Sequence, residues 1–347
     1  MAAVKLGSVA RECRQNWAGT VEGVPIVGLE HLIPEEITLS SWNSDTDNTF
    51  SKKFEKGQVL LGRRRVYLKK AAIAPFDGIC SGDITVIEAI PGKIAPELLP
   101  FIIQNDKFFD YAMQGSAGSL SPRVKWEHLK DYEFELPDIL EQRKLADKLW
   151  AAYRLKQSYK KMIEATDEMV KSRFIEMFGN KPSVSIQSIA KEVFAGGDKP
   201  SDISNVKTEE YKYPVFSNGI GENALLCYSK SFRVSVPAIT VSARGTIGYA
   251  EIRNAHFTPV VRLLTLIPKE NNNLTFVKYA LNQIEYRTSG SSIGQLPVPE
   301  FIKLTVPAAS ITEQDRFSSI AEQADKSKFE LKQAIEKIDK VMRSLLQ

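Results

Sequence analysis

From Asp138 to about Phe178 the chain reads DILEQRKLADKLWAAYRLKQSYKKMIEATDEMVKSRFIEMF, without a glycine or a proline. Such a stretch predicts one continuous helix of about 38 residues, roughly 55 to 60 Å long. Apolar or neutral residues return every four and then three positions: Leu145, Leu149, Ala152, Lys156, Tyr159, Ile163, Thr166 and Val170, with Lys156 and Thr166 as polar interruptions. This is a heptad seam, and a long helix with a half-apolar seam is poorly stable alone. The partner lies in the same chain. Moving 172 positions on gives Phe317, Ala321, Ala324, Lys328, Leu331, Ile335, Ile338 and Met342, the same register down to the lysine. The expected helix–helix contacts are therefore Leu145, Leu149, Tyr159, Ile163 and Val170 on one side and Phe317, Leu331, Ile335, Ile338 and Met342 on the other.

Both helices open on a capping-box spacing, Asp138 with Glu141 and Ser310 with Glu313. Gly179-Asn180-Lys181-Pro182 closes the first. Before it, short apolar runs alternate with turns. VEGVPIVGLEHLI, QVLLG and GICSGDITVIEAI read as strands, and PELLPFIIQNDKFFDYAMQ as one helix. The stretch between the two helices repeats this in outline. SVSIQSIAKE parallels VKLGSVARE, AITVSARGTIGYAEI parallels VLLGRRRVYLKKAAI, and FIKLTVPAASITEQ parallels HLKDYEFELPDILEQ. The expected layout is a mixed α/β domain over 1–137, a long helix over 138–180, a second domain over 181–309 and a second long helix over 310–347. The expected fold class is α+β: an internal tandem duplication with pseudo-twofold symmetry, its two long helices antiparallel as a coiled coil.

No apolar run approaches the ~18 residues of a membrane span. The opening MAAVKLGSVARECRQNW lacks the apolar core of a secretory signal. Cys13, Cys80 and Cys227 are odd in number and far apart, as expected of reduced thiols in a cytoplasmic protein. A net charge of +4 permits a nucleic-acid partner without arguing for one. Catalytic signatures are mostly absent. The chain has no GxxxxGK[ST] phosphate loop and no NPPY- or DPPY-like tetrapeptide, and His31, His128 and His256 are too scattered to pair on a metal. Asp77, Asp83 and Glu88 have a loose nuclease-like spacing, but no lysine follows closely, and turn acids flanking a strand account for them.

What remains is basic and polar loop chemistry. Arg63, Arg64, Arg65, Lys69 and Lys70 surround Tyr67 in the first copy. Lysine and arginine neutralise phosphates, and an arginine fork reads a guanine edge. The bland reading is a solvated charged strand face. The second copy keeps polar chemistry at the same place with Ser242, Arg244 and Thr246, where Gly245 and Gly248 permit close backbone approach. The Gly/Ser turns at 115–119 and 289–292 carry Ser116, Ser119 and Ser291, and Arg123 follows the first. Their backbone N–H groups suit phosphates, and they suit ordinary loops equally well. Lys199, Ser217 and Asn218 lie on turn-rich stretches and are candidate phosphate or base contacts, with plain turns as the alternative. Lysines on the long helices, such as Lys156, Lys160, Lys161 and Lys328, read as solvated or partner-facing.

With these pieces assembled, the chain resembles the specificity subunit of type I restriction–modification systems. The matching segments are LPDILEQ (136–142), VPAASITEQ (306–314), VSARGTIGYA (241–250), AGGDKPSD (195–202) and YPVFSNGIGE (213–222). The resemblance covers essentially the whole chain, and the duplicated arrangement is the specific part. The resemblance implies two target recognition domains, each reading one half of a bipartite, asymmetric double-stranded DNA target through the major groove. It implies helices that set the spacer and dock two methyltransferase subunits, with restriction/translocase subunits joining through them. The chain itself would be non-catalytic and hold no cofactor; S-adenosylmethionine, ATP and Mg would belong to the partner subunits. Groove periodicity then suggests half-site centres about one helical turn, ~10 bp, apart. Three other readings stay open: the recognition subunit of a type IIB-like combined nuclease and methyltransferase, a stand-alone DNA-modifying enzyme with a coiled-coil interface, and an adaptor whose helices hold two protein partners.

Overall fold

The computed structural model describes residues 2–44, 47–116, 122–286 and 294–346. The chain folds as two units, Met1–Lys160 with Lys332–Gln347 and Lys161–Leu331, so each long helix contributes to both.

The first unit runs β1 (Ala2–Lys5), α1 (Leu6–Val9), β2 (Ala10–Cys13), β3 (Ile26–Val27), β4 (Lys52–Phe54), β5 (Val59–Gly62), β6 (Ala71–Ile73), β7 (Gly78–Cys80), β8 (Ile84–Ala89), α2 (Leu99–Ile103), α3 (Asp106–Gln114), α4 (Trp126–Leu129), β9 (Glu133–Leu136) and the opening of α5 (Ile139–Phe178). Antiparallel β1 and β9 tie the two ends of the domain together, with Ala2 opposite Leu136. The main sheet has the order β2-β8-β5-β6, and a second has the order β3-β7-β4. β5 shows why both are needed. Its residues Val59, Leu60 and Leu61 are all fully buried. Val59 and Leu61 join the apolar cluster that holds Phe101, Phe108 and Leu149, whereas Leu60 joins Val27, Phe54 and Cys80 on the other face. A strand apolar at every position must be covered on both sides.

The second unit repeats the plan: β10 (Ser183–Ser185), α6 (Ile186–Ile189), β11 (Ala190–Ala195), β12 (Ile203–Ser204), β13 (Tyr213–Phe216), β14 (Leu225–Ser229), β15 (Ala238–Val241), β16 (Ala250–Arg253), β17 (Thr258–Pro259), β18 (Leu264–Pro268), α7 (Leu274–Asn282), α8 (Val298–Phe301), β19 (Thr305–Pro307) and the opening of α9 (Ile311–Leu345). β10 pairs with β19 as β1 does with β9, and the order β11-β18-β15-β16 mirrors β2-β8-β5-β6. Ile239 and Val241 face the cluster built with Phe276, Phe301 and Phe317. There Phe174 and Phe178 of α5 meet Phe317 of α9 and Phe276 of α7, with ring centroids 4.8 to 5.8 Å apart.

The long helices are antiparallel, as expected. In the first unit Lys156 bonds Asp339, and Leu145 and Leu149 share a cluster with Met342, Leu345 and Leu346. Of the expected seam residues, Leu149, Val170 and Phe317 are buried, while Leu145, Tyr159, Ile163, Leu331, Ile335, Ile338 and Met342 are half-buried. Full burial is confined to the stretches that pass over a domain, where Ala146, Tyr153, Phe174 and Phe178 are buried as well. Each helix is also pinned at its start by a buried glutamine. Gln142 Oε1 accepts from the Ala95 N–H at 2.8 Å, and its Nε2 donates to the Pro137 carbonyl at 2.8 Å. Gln314 does the same with the Asn273 N–H at 2.8 Å and the Ala309 carbonyl at 2.9 Å.

Three local expectations change, and one stretch left between two readings is decided. The stretch over 99–114 is two helices, because the Asn105 side chain caps α3 by accepting from the Lys107 N–H, which interrupts the run. VEGVPIVGLEHLI contains only the two-residue strand β3. Residues 63–70 form a loop, as the basic-loop reading has it and not the charged strand face of its alternative, with a 3-10 turn at Val66–Leu68 flanked by left-handed Arg65 and Lys69. Of the two capping boxes, only Ser310–Glu313 is reciprocal; Asp138 accepts from the Leu140 and Glu141 N–H groups, but Glu141 turns to Lys144.

Candidate nucleic-acid interface

The loop between β5 and β6 holds the expected basic cluster of the first unit. Gly62 N–H donates to the Lys70 carbonyl at 2.9 Å and closes the loop at its base. Its far side is met by the segment that follows α3: Arg65 N–H donates to the Pro122 carbonyl, and Val124 N–H to the Arg63 carbonyl, both at 2.9 Å. This brings Arg123 beside Arg64. Both guanidinium groups face Asp83, Arg123 through two bonds of 2.7 and 3.2 Å and Arg64 at 3.6 Å. The Arg123 guanidinium, with Arg64 and Arg63 behind it, holds the Asp83 carboxyl below the usual carboxylate range.

The other cations of the loop divide by role. Lys69 pairs with Asp106 at 2.5 Å, and Lys70 donates to the Leu29 carbonyl at 2.7 Å, so both brace the loop. Arg63 Nε is buried without an acceptor among the described residues. Arg65 and Tyr67 are the groups presented outward, Tyr67 at 53% exposure with the neighbouring Leu68 at 41%. An exposed aromatic between cations is suited to a nucleic-acid surface. Ser116 Oγ is buried without a partner among the described residues. Ser119 and Ser291 lie outside the described residues.

In the second unit four loops are laced into one edge. Asn218 is the clasp: its Nδ2 donates to the Val261 carbonyl at 2.7 Å, and its Oδ1 accepts from the Ala243 N–H at 2.7 Å. Ser242 is buried, with Oγ 3.3 Å from both the N–H and the carbonyl of Gly219. Val261 N–H donates to the Gly197 carbonyl at 2.8 Å and Arg262 N–H to the Gly196 carbonyl at 3.1 Å. The structure therefore brings together the expected stretches around Lys199, Ser217, Asn218, Ser242, Arg244 and Thr246. It assigns Asn218 and Ser242 to holding the edge, while Lys199, Arg244 and Thr246 are exposed on it and Ser217 is half-buried. Arg244 donates to Gln295 Oε1 at 2.7 Å, and Leu296 N–H bonds the Ala243 carbonyl at 3.0 Å. This is the counterpart of Arg64 beside Arg123 and of Val124 on Arg63.

Two groups escaped the sequence reading. Asp83 looked like a turn acid and is the shared counterion of two arginines. Val261 and Arg262 sit in the apolar run TPVVRLLTL, which reads as strand interior, yet both have positive φ, +52° and +64°. No glycine marks the turn, so no sequence signal pointed to it.

The type I restriction modification DNA specificity domain matches residues 188–340. A Mycoplasma pneumoniae chain named as a type I specificity subunit is 42% identical over 132 residues, which cover 38% of this chain and 39% of that relative. The matched stretch thus spans well under two thirds of the relative's length. The crystal structure of a type I restriction–modification S subunit from M. genitalium superposes with a TM-score of 0.61 at 14% identity, covering 100% of this chain and 96% of that one. A chain from a structure on complex assembly and conformational transition of the type I R-M system gives a TM-score of 0.58 at 17% identity, covering 99% of this chain and 96% of that chain. Residues 188–340 thus carry the type I restriction modification DNA specificity domain, and along its whole length the chain shares the fold of solved type I S subunits.

Proposed function

We propose that this chain is the sequence-specific DNA-recognition subunit of a type I restriction–modification complex. Each recognition domain reads one half of a bipartite, asymmetric duplex target, and the paired helices set the distance between the halves. The observation that carries this reading is the repeated loop edge. The same hairpin, braced by the same returning segment, carries Arg64 beside Arg123 in one unit and Arg244 beside Gln295 in the other. The scaffold is common and the side chains differ, which is what two independent readers of different sequences require.

Catalysis in this scheme rests with partner subunits. Methyltransferase subunits, two copies for two equivalent docking places, bring S-adenosylmethionine, and restriction/translocase subunits bring ATP and Mg. Met162 and Met169 on α5 are about half exposed and seven residues apart, an apolar stripe suited to a partner helix. The type IIB-like alternative is not favoured, since relatives and structural neighbours alike are named for type I systems.

The test is long-read mapping of methylated motifs in cells carrying this gene with its methyltransferase subunit. The expected result is a two-part motif with a fixed spacer. Exchange of residues 183–309 for the matching domain of a relative is expected to change one half only. A motif that changed in both halves would sink independent reading, and absence of sequence-specific methylation would sink the function.

A further inference from the structure

Val261 and Arg262 are consecutive non-glycine residues in the left-handed region. For a β-branched residue this is a rare and costly conformation. Packing does not select it, because both side chains are exposed, Val261 at 45%. The surrounding loops hold it instead: Gly197 and Gly196 carbonyls take the two N–H groups, and Asn218 Nδ2 takes the Val261 carbonyl. Gly196 is needed there, since a Cβ on it would come within 2.7 Å of Pro259 and Val260 backbone atoms. With the backbone groups consumed, the two side chains are what the turn presents.

The charge of this turn is also informative. It links β17 to β18, as residues 81–83 link β7 to β8 in the first unit. There the turn ends in Asp83, which neutralises Arg64 and Arg123. In the second unit the turn carries an arginine whose guanidinium has no partner among the described residues, beside an exposed valine. The backbone that carries this arginine is fixed by the surrounding loops, and its exposed guanidinium is open to an external acceptor.

Resting on the DNA-reading function proposed above, we infer that Val261–Arg262 is a base-reading pair of the second recognition domain. Arg262 forks onto the O6 and N7 acceptors of a guanine in the major groove, and Val261 lies against the edge of an adjacent base, where a pyrimidine 5-methyl group fits. The second half-site therefore contains a guanine whose recognition depends on Arg262.

The experiment is motif mapping with the assembled complex of full-length chain and methyltransferase subunit, comparing wild type, Arg262→Gln and Arg262→Lys. The wild type is expected to give a bipartite motif. Arg262→Gln is expected to relax one G·C position in one half-site, with discrimination there falling about tenfold or more and the other half unchanged. Arg262→Lys is expected to keep part of the discrimination. Binding of the complex to duplexes carrying the wild-type motif and single-base variants provides the second measurement. An Arg262→Gln protein that unfolds at the wild-type temperature but loses affinity equally for every duplex would mean a phosphate anchor and overturn base reading. An unchanged motif with unchanged affinity would also overturn it, while leaving the recognition function intact. A wild type with no motif would remove both.

Discussion

Lys156 Nζ lies 2.6 Å from Asp339 Oδ1, and the shift of 172 positions that carries Lys156 to Lys328 also carries Asp167 to Asp339. Lys328 accordingly meets Asp167, at 2.5 Å. The polar interruption of each seam is thus an ion pair that takes its lysine from one long helix and its carboxylate from the other. An antiparallel pairing of two copies produces this reciprocity, and it fixes register at the point where the apolar seam is weakest.

The two pairs differ in burial, and this predicts different costs. Lys156 is 7% exposed and has Asp339 as its carboxylate, whereas Lys328 has Asp325 at 2.8 Å as well as Asp167, which is 57% exposed. Asp339→Ala strands a buried ammonium and is expected to cost about 3 kcal/mol. Asp167→Ala is expected to cost about 1 kcal/mol or less. Lys156→Met with Asp339→Leu is expected to recover most of the loss. Urea unfolding of the four proteins is the check; equal costs for the two single replacements would contradict the burial argument.

Glu313 gives the second helix a pH dependence. Lys181 at 2.6 Å, then the Ser310 N–H at 3.0 Å and hydroxyl, hold its carboxyl down to about 2 from the ordinary 4.5. Because the folded value lies below the unfolded one, the stabilisation is complete above about 4.5 and is lost as pH falls toward about 2. Glu313→Gln is expected to flatten the stability curve across that window and leave its slope above pH 5 unchanged. Thermal unfolding followed from pH 2 to 7 measures both.

The duplication and the helix pairing were legible because they rest on periodicity, which sequence displays directly. Leu145 and Phe317, or Lys156 and Lys328, announce their equivalence by position alone. The location of the basic cluster was legible too, since three arginines in a row stand out. The use of each residue was not. Asn218 and Ser242 look like contact residues and instead lace loops together, because amide and hydroxyl groups serve a backbone as readily as a ligand. Lys70 looks like a phosphate contact and braces the Leu29 carbonyl. Val261 and Arg262 were invisible, because left-handed backbone imposed by neighbouring loops leaves no glycine to mark it.

Gln142 and Gln314 predict a matched pair of stability losses. Each is almost fully buried and uses both ends of its amide on backbone groups of its own domain. Replacement by alanine leaves an N–H and a carbonyl without partners, a cost of about 1 to 3 kcal/mol at either site. Gln142→Glu keeps the acceptor for Ala95 and loses the donor to Pro137, so it is expected to be no better than alanine. Unfolding midpoints decide the matter. A neutral Gln142→Ala would mean that water replaces the amide and that the glutamine does not pin the helix.

In the DNA-reading role proposed above, Asp83 sets how much positive charge the first unit shows to a duplex. Its carboxylate faces Arg123 at 2.7 Å and Arg64 at 3.6 Å and cancels part of their field. Asp83→Asn keeps the shape and removes the charge. If Arg64 and Arg123 face phosphate, their guanidinium groups then release counterions more fully. Affinity for duplex DNA of any sequence is expected to rise, and the plot of log K against log salt to steepen by about one unit. Arg65→Ala is the opposite case: an exposed cation with no partner among the described residues, whose loss is expected to flatten the slope by about one. Fluorescence anisotropy across a salt series, with unfolding midpoints as the control for structure, reads both changes. An Asp83→Asn protein that binds with the wild-type slope would place this arginine cluster away from the phosphate backbone and reduce it to a brace between the β5–β6 loop and the segment after α3.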